Sequence, residues 1–209
     1  MTPPLAVLRR PLPFAGPVVL ASPLSPGFGW PSRASATEGE VETYPAPADG
    51  LLRRARCSDA GAVHDLLDGY ARQGVLLPRT LAQVEGSIDD FLIAADAHGL
   101  AACGALRVHS ASLAEVAALA VASDRHGEGF GRRIVEALTR EAELLGVERV
   151  FALTLEPAFF HRLGFRTVPI GAFPEKLARD CARCPRRSCC IEVAVEHRSE
   201  FTVRKNGRP

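Results

Sequence analysis

This 209-residue chain is informative first through what it lacks. No stretch approaches the ~20 consecutive apolar residues that a helix needs to cross a bilayer, so no membrane span is expected. Net charge is nearly absent: 25 basic and 24 acidic side chains leave +1, too weak a field to gather nucleic acid or an anionic membrane. No Gly-Lys-Ser/Thr sequence occurs, which excludes a P-loop nucleotide site. There is no internal repeat. Acidic residues are missing altogether up to Ala36, where Arg9, Arg10 and Arg33 stand among many prolines. Those prolines interrupt the apolar stretch around Pro17 to Leu24, so a secretory leader is not expected.

What is present suits one packed domain: 47% hydrophobic and 23% charged residues. Residues 1–50 stand apart, because prolines break every periodic run and leave too little apolar surface to offset ordering. Three readings remain for them: a disordered extension or misplaced start, a targeting peptide, or a segment ordered on binding. Residues 51–170 read as the folded domain, 171–198 as a Cys/Arg-rich tail with a final strand packed on it, and 199–209 as a disordered end. Within the domain, periodicity predicts helices over 60–72, capped by Asp59, and over 81–88, 130–145 and 157–163. Strands are predicted over 52–57, 91–95, 101–109, 115–122, 149–155, 165–168 and 190–196. The fold class is therefore α/β (α+β), a mixed sheet with helices on both faces.

The sharpest local signal is Arg125-His126-Gly127-Glu128-Gly129-Phe130-Gly131-Arg132, lying between a predicted strand and a predicted helix. Alternate glycines let the backbone turn several N–H groups toward one point, and the helix behind adds a dipole favourable to anions. Such a turn cradles a diphosphate, although it also serves simply to join two elements. In this context the segment resembles the acetyl-CoA motif of the GNAT acetyltransferases, Gln/Arg-x-x-Gly-x-Gly/Ala, with His126 in the usual Gln/Arg place. Leu119-Ala120-Val121 is similar to that family's splayed strand, and Phe159-Phe160-His161-Arg162-Leu163-Gly164-Phe165 resembles its Phe-Tyr-x-x-x-Gly-Phe segment. The resemblance implies acetyl-CoA as donor, held at Leu119, Ala120, Val121, His126, Gly127, Glu128, Gly129, Phe130, Gly131 and Arg132. It also implies an oxyanion site on a backbone N–H of residues 119–121.

Further stretches resemble the short stand-alone N-acetylglutamate synthases. They include Val75-Leu76-Leu77-Pro78-Arg79, Cys103-Gly104-Ala105-Leu106, Glu115-Val116, Leu153-Thr154 and Phe173-Pro174-Glu175-Lys176. That resemblance implies transfer to the α-amino group of glutamate, the first step of arginine biosynthesis, in a cytoplasmic enzyme, with a homodimer compatible. The sequence shows no amino-acid-kinase segment, so arginine feedback through such a domain is not expected. An amino acid's amine is mostly protonated at neutral pH and needs a base. Glu115 matches the family's base position, though a strand-edge glutamate needs no such role. The family's tyrosine acid is Phe160 here, leaving Thr154, water or no dedicated acid. Bidentate guanidinium suits carboxylates, so Arg79, Arg107 and Lys176 are the substrate-binding candidates, against the plain alternative of solvated side chains.

Of six cysteines, Cys181, Cys184, Cys189 and Cys190 crowd into one short segment. A disulfide scaffold spreads its cysteines through a smaller secreted chain, so a reducing compartment is expected. Cys181, Cys184 and Cys189 have the residue types of a structural zinc site, but their spacing is poor for one; redox-active thiols or plain packing remain alternatives. Two rival functions also stand: a GNAT enzyme acting on another amine, and a non-catalytic acetyl-CoA sensor.

Overall fold

The computed structural model describes residues 51–199, so the expected 1–50 extension and residues 200–209 of the expected tail lie outside the described residues. Its elements run β1 (Leu51–Arg54), α1 (Ala60–Arg72), α2 (Leu81–Glu85), β2 (Phe91–Asp96), β3 (Gly99–Ser110) and β4 (Leu113–Val121). There follow α3 (Phe130–Leu144), β5 (Arg149–Thr154), α4 (Pro157–His161), β6 (Arg166–Thr167), α5 (Pro174–Arg179) and β7 (Val193–Arg198).

Several local expectations are corrected. Asp59 does occupy the N-cap position of α1, but its side chain makes no capping hydrogen bond; its carboxylate takes the Arg56 N–H at 2.7 Å and the Arg53 guanidinium at 2.7 and 2.9 Å, closing the turn before the helix. Thr80 caps α2 instead, accepting from Gln83 N–H while Gln83 reaches back to the Thr80 N–H. The last strand begins at Val193 rather than at 190, because residues 187–189 form a 3-10 turn and Cys190 Sγ donates to Glu192 at 3.5 Å.

The seven strands form one sheet in the order β1-β2-β3-β4-β5-β7-β6, antiparallel throughout except for β4 against β5. Strand alternation then sorts side chains to two faces. Ala102, Leu106, Ala114, Val116, Val150 and Ala152 pack against Phe130, Ile134 and Leu138 of α3 and against Phe159 and Phe160 of α4. The opposite face carries two clusters. Phe91, Ile93, Cys103 and Ala105 meet Val63, Leu67 and Tyr70 of α1, and Leu113, Phe151 and Leu153 meet Phe173. Gly104 admits α3, since a Cβ there would lie 2.5 Å from Ile134 Cγ2.

Two irregularities of β4 shape the site. Between the pairs Ala105↔Ala117 and Cys103↔Ala120, Ala118 and Leu119 stand opposite Gly104 alone, a bulge in which Ala118 takes φ 51°. The parallel ladder to β5 has only the pairs Leu113↔Arg149, Ala114↔Val150 and Glu115↔Phe151. Beyond them β4 follows β3 while β5 follows β7, so the two strands part and leave a fork. No helix among the described residues is long and apolar enough to cross a membrane.

Candidate active site

The glycine turn sits at the open end of the fork. Gly127 and Gly129 adopt φ 87° and 85°, left-handed values that L side chains resist. Arg133 N–H is bonded to Gly129 O at 3.2 Å, the first bond of α3. The first-turn N–H groups of any helix, here those of Phe130, Gly131 and Arg132, have no intrahelical acceptor and favour an anion. They line an open pocket of about 270 Å³ whose walls also include Val121, His126, Phe159, Arg162 and Leu163.

Side chains of the turn also brace it. Arg125 pairs with Asp96 at 2.8 Å and with Glu128 at 2.9 Å, and its guanidinium lies 4.8 Å from the Phe130 ring centre. Glu128, an acid, contributes to an anion site only through its backbone. Phe130 is buried in the core, and Arg132 is exposed and paired with Glu136 at 2.7 Å. His126, expected at a phosphate, turns inward. Tyr70 O–H donates to Val121 O at 2.5 Å, which leaves its oxygen to accept from His126 Nε2–H at 2.8 Å. His126 thus ties α1 to the end of β4. Tyr70 was legible only as an apolar-face residue of α1.

At the closed end of the fork lies a second assembly, a buried charge cluster. Glu115, the last β4 residue paired with β5, is fully buried. Lys176 Nζ donates to both its oxygens, at 2.7 and 2.9 Å, and to Asp180 at 3.0 Å. His109 Nε2 lies 3.0 Å from Glu115, and Arg107 Nη1 donates to Asp180 at 3.1 Å. Burial would push Glu115 up, but Lys176, the His109 hydrogen bond and Arg107 together hold its carboxyl well below the usual carboxylate range. Arg79 is also buried here. Burial and the neighbouring Arg107 lower its guanidinium to about 10. Arg107 Nη2, His109 Nδ1 and Asp180 Oδ1 have no hydrogen-bond partner among the described residues. Over the cluster, Arg186 Nη1 and Nη2 donate to Gly74 O at 2.8 Å and Leu76 O at 3.4 Å, tying the cysteine segment to the loop that carries Arg79.

Set against known proteins, the chain is 36% identical over 148 residues to an uncharacterized N-acetyltransferase of Chlorobaculum tepidum, covering 71% of this chain and 96% of that protein. The family model for an acetyltransferase (GNAT) domain matches residues 87–167. The chain belongs to the GNAT acetyltransferases. An amino-acid acetyltransferase of Mycobacterium tuberculosis is 38% identical over 121 residues, covering 56% of this chain and 69% of that one. The chain spans 34% of the length of the similarly named Pasteurella multocida protein, at 30% identity. Among solved structures, a M. tuberculosis protein in complex with CoA superposes with TM-score 0.61 at 29% identity, covering 71% of this chain and 98% of that one. The N-acetylglutamate synthase of Neisseria gonorrhoeae, complexed with coenzyme A and N-acetyl-glutamate, gives 0.63 at 25% identity, covering 73% of this chain and 36% of that one.

In this GNAT domain the sequence candidates divide. Arg79, Arg107 and Glu115 come together, whereas Lys176 is wholly buried with its three contacts made to carboxylates, so it does not reach a substrate. Thr154 Oγ1 accepts the Glu156 N–H at 2.8 Å and closes the turn from β5 to α4; alternation places it on the face opposite Glu115. Phe160 is edge-packed between Phe159 and Phe165, at 5.1 Å from each, a core position with no room for a free hydroxyl. The zinc expectation does not fit. Cys181, Cys184 and Cys189 fail to converge, and the one set of three metal-ligating side chains among the described residues is His109, Glu115 and Asp180. The Lys176 ammonium already bridges both of those carboxylates.

Proposed function

We propose that this protein transfers the acetyl group of acetyl-CoA to the α-amino group of L-glutamate, as the first step of arginine biosynthesis in the cytoplasm. The observation that carries the reading is the buried Arg107 guanidinium at the closed end of the fork, with Arg79 buried beside it. Arg107 Nη1 is held by Asp180 at 3.1 Å, while its Nη2 has no hydrogen-bond partner among the described residues. A buried guanidinium N–H left unmatched is costly, and an acceptor bearing carboxylates relieves that cost. A polyamine would bring a further cation beside the buried Arg79 and Arg107. Similarity to an amino-acid acetyltransferase of M. tuberculosis supports an amino-acid acceptor, and similarity to the Neisseria N-acetylglutamate synthase supports glutamate.

In this reading residues 51–170 carry acetyl transfer and residues 171–198 close the acceptor side. First-turn amides of α3 hold the diphosphate, and the unpaired edge of β4 beyond Glu115 receives the pantetheine arm. The glutamate ammonium yields a proton to Glu115, relayed by water, and the freed amine attacks the thioester carbon. As the C–N bond forms, a backbone N–H of residues 119–121, turned by the bulge at Ala118, meets the oxyanion. The C–S bond then breaks, the nitrogen sheds its second proton, and CoA leaves as a thiolate. A thiol with a free pKa of about 8.5 needs no strong acid to be protonated, so Thr154 is assigned no proton.

Release of free thiol from acetyl-CoA, measured across a panel of amino acids and amines, tests this. Glutamate is expected to give the highest kcat/KM, aspartate less, and polyamines none. Preference for an uncharged or cationic amine, or no turnover with any acceptor, would reject the glutamate reading.

A further inference from the structure

Glu115 is enclosed on every side. From β3 it is faced by Arg107 and His109, and from α5 and the residue that ends it by Lys176 and Asp180, with Arg179 Nη2 3.5 Å from the His109 ring. From the loop before α2 it is faced by Arg79, and from the segment before β7 by Cys181 and Glu192. An isolated carboxyl in such a place takes up a proton rather than remain charged. Arg107 spends its Nη1 on Asp180, and Lys176 donates to both oxygens of Glu115. Asp180, one helical turn beyond Lys176, receives the same ammonium and orients it.

From this geometry we infer that Lys176 is a positioning residue for acetyl transfer: α5 inserts its ammonium beneath the fork so that Glu115 stands there as a carboxylate able to accept a proton. The inference rests on Glu115 as proton acceptor, and not on glutamate being the amine acetylated. Lys176 lowers the basicity of Glu115, yet it guarantees the ionised form. The first effect costs some driving force; without the second, no acceptor exists at neutral pH.

The test uses the full chain. Lys176→Met removes the charge but leaves two facing carboxylates, which threatens folding, so Lys176→Met/Asp180→Asn is made beside it to keep the charge balance. Two readouts are taken. Glutamate side-chain carboxyls are labelled with ¹³C and titrated, with Glu115 assigned by its loss in Glu115→Gln. In parallel, kcat is followed against pH with whichever amine the protein acetylates. In the parent protein the Glu115 signal is expected to remain that of a carboxylate from about pH 5 to pH 8. In the double variant its midpoint rises by about 3–5 pH, which carries it toward the neutral range. Below that midpoint Glu115 is protonated and kcat is lost; above it kcat recovers. A Glu115 signal in the double variant that titrates as in the parent would overturn the inference. So would a kcat lowered equally at every pH, the mark of a merely structural lysine. The ¹³C titration needs no turnover, so failure of the glutamate reading is seen separately.

Discussion

Glu115→Gln is expected to lower kcat at neutral pH by ~10²–10⁴-fold, the usual range for loss of a positioned general base. The amide keeps the shape of the carboxyl and one oxygen for Lys176, and Asp180 still holds the ammonium at 3.0 Å. The cluster therefore keeps its packing while losing its proton acceptor. Coenzyme binding is separated from this event in space. The cradle is made by α3, whose first amides lie at the open end of the fork, whereas Glu115 closes the other end. The affinity for acetyl-CoA should accordingly change by less than about twofold, far below the effect on kcat. Stopped turnover with intact binding is the signature. A variant that turns over as the parent does would remove Glu115 from the chemistry.

Arg107→Met is expected to raise KM for the acceptor by ~10–100-fold, the equivalent of about 1.5–3 kcal/mol for a charged hydrogen bond, with KM for acetyl-CoA unchanged. Arg107 is buried, its Nη1 engaged with Asp180 at 3.1 Å and its Nη2 unmatched. Methionine fills much of the same volume without the donor. Asp180 retains Lys176, so the Glu115 pair stays intact. The defect should therefore fall on acceptor binding, and saturating acceptor should restore most of kcat. A defect confined to kcat would instead place Arg107 with the proton machinery. Lysine at this position is expected to recover only part of the loss, because an ammonium cannot serve Asp180 and a substrate carboxylate in one plane.

Periodicity made the longest elements legible. α1 matches its expected bounds, and α3 differs by one residue, because each repeats apolar residues at helical spacing over several turns. α5 is six residues long, too short for a period to be seen; it holds Lys176, and Asp180 directly at its C-terminal end completes the charge cluster. Their spacing, Lys176 to Asp180, was nonetheless an i,i+4 pair visible in the sequence. His109 was also within reach of inference, since it lies two residues beyond Arg107 on the same face of β3, beside Glu115. What no local pattern could supply was who meets whom across the fold. His126 looked suited to a phosphate until Tyr70, 56 residues earlier, took its ring nitrogen. Lys176 looked suited to a substrate carboxylate until two carboxylates of the chain itself claimed it. The cysteines suggested zinc by residue type alone, while their placement in exposed and half-buried turns keeps them apart.

In the proposed mechanism, main-chain amides at the start of α3 hold the diphosphate of the coenzyme. Titration calorimetry of CoA into the parent protein and into Gly129→Ala tests it most directly. Gly129 adopts φ 85° with open space around it, so alanine disturbs only the backbone, at about 1–2 kcal/mol. Saturable binding to the parent and roughly tenfold weaker binding to the variant are the expected result. No detectable heat with the parent protein, or equal affinity in the two, would contradict it.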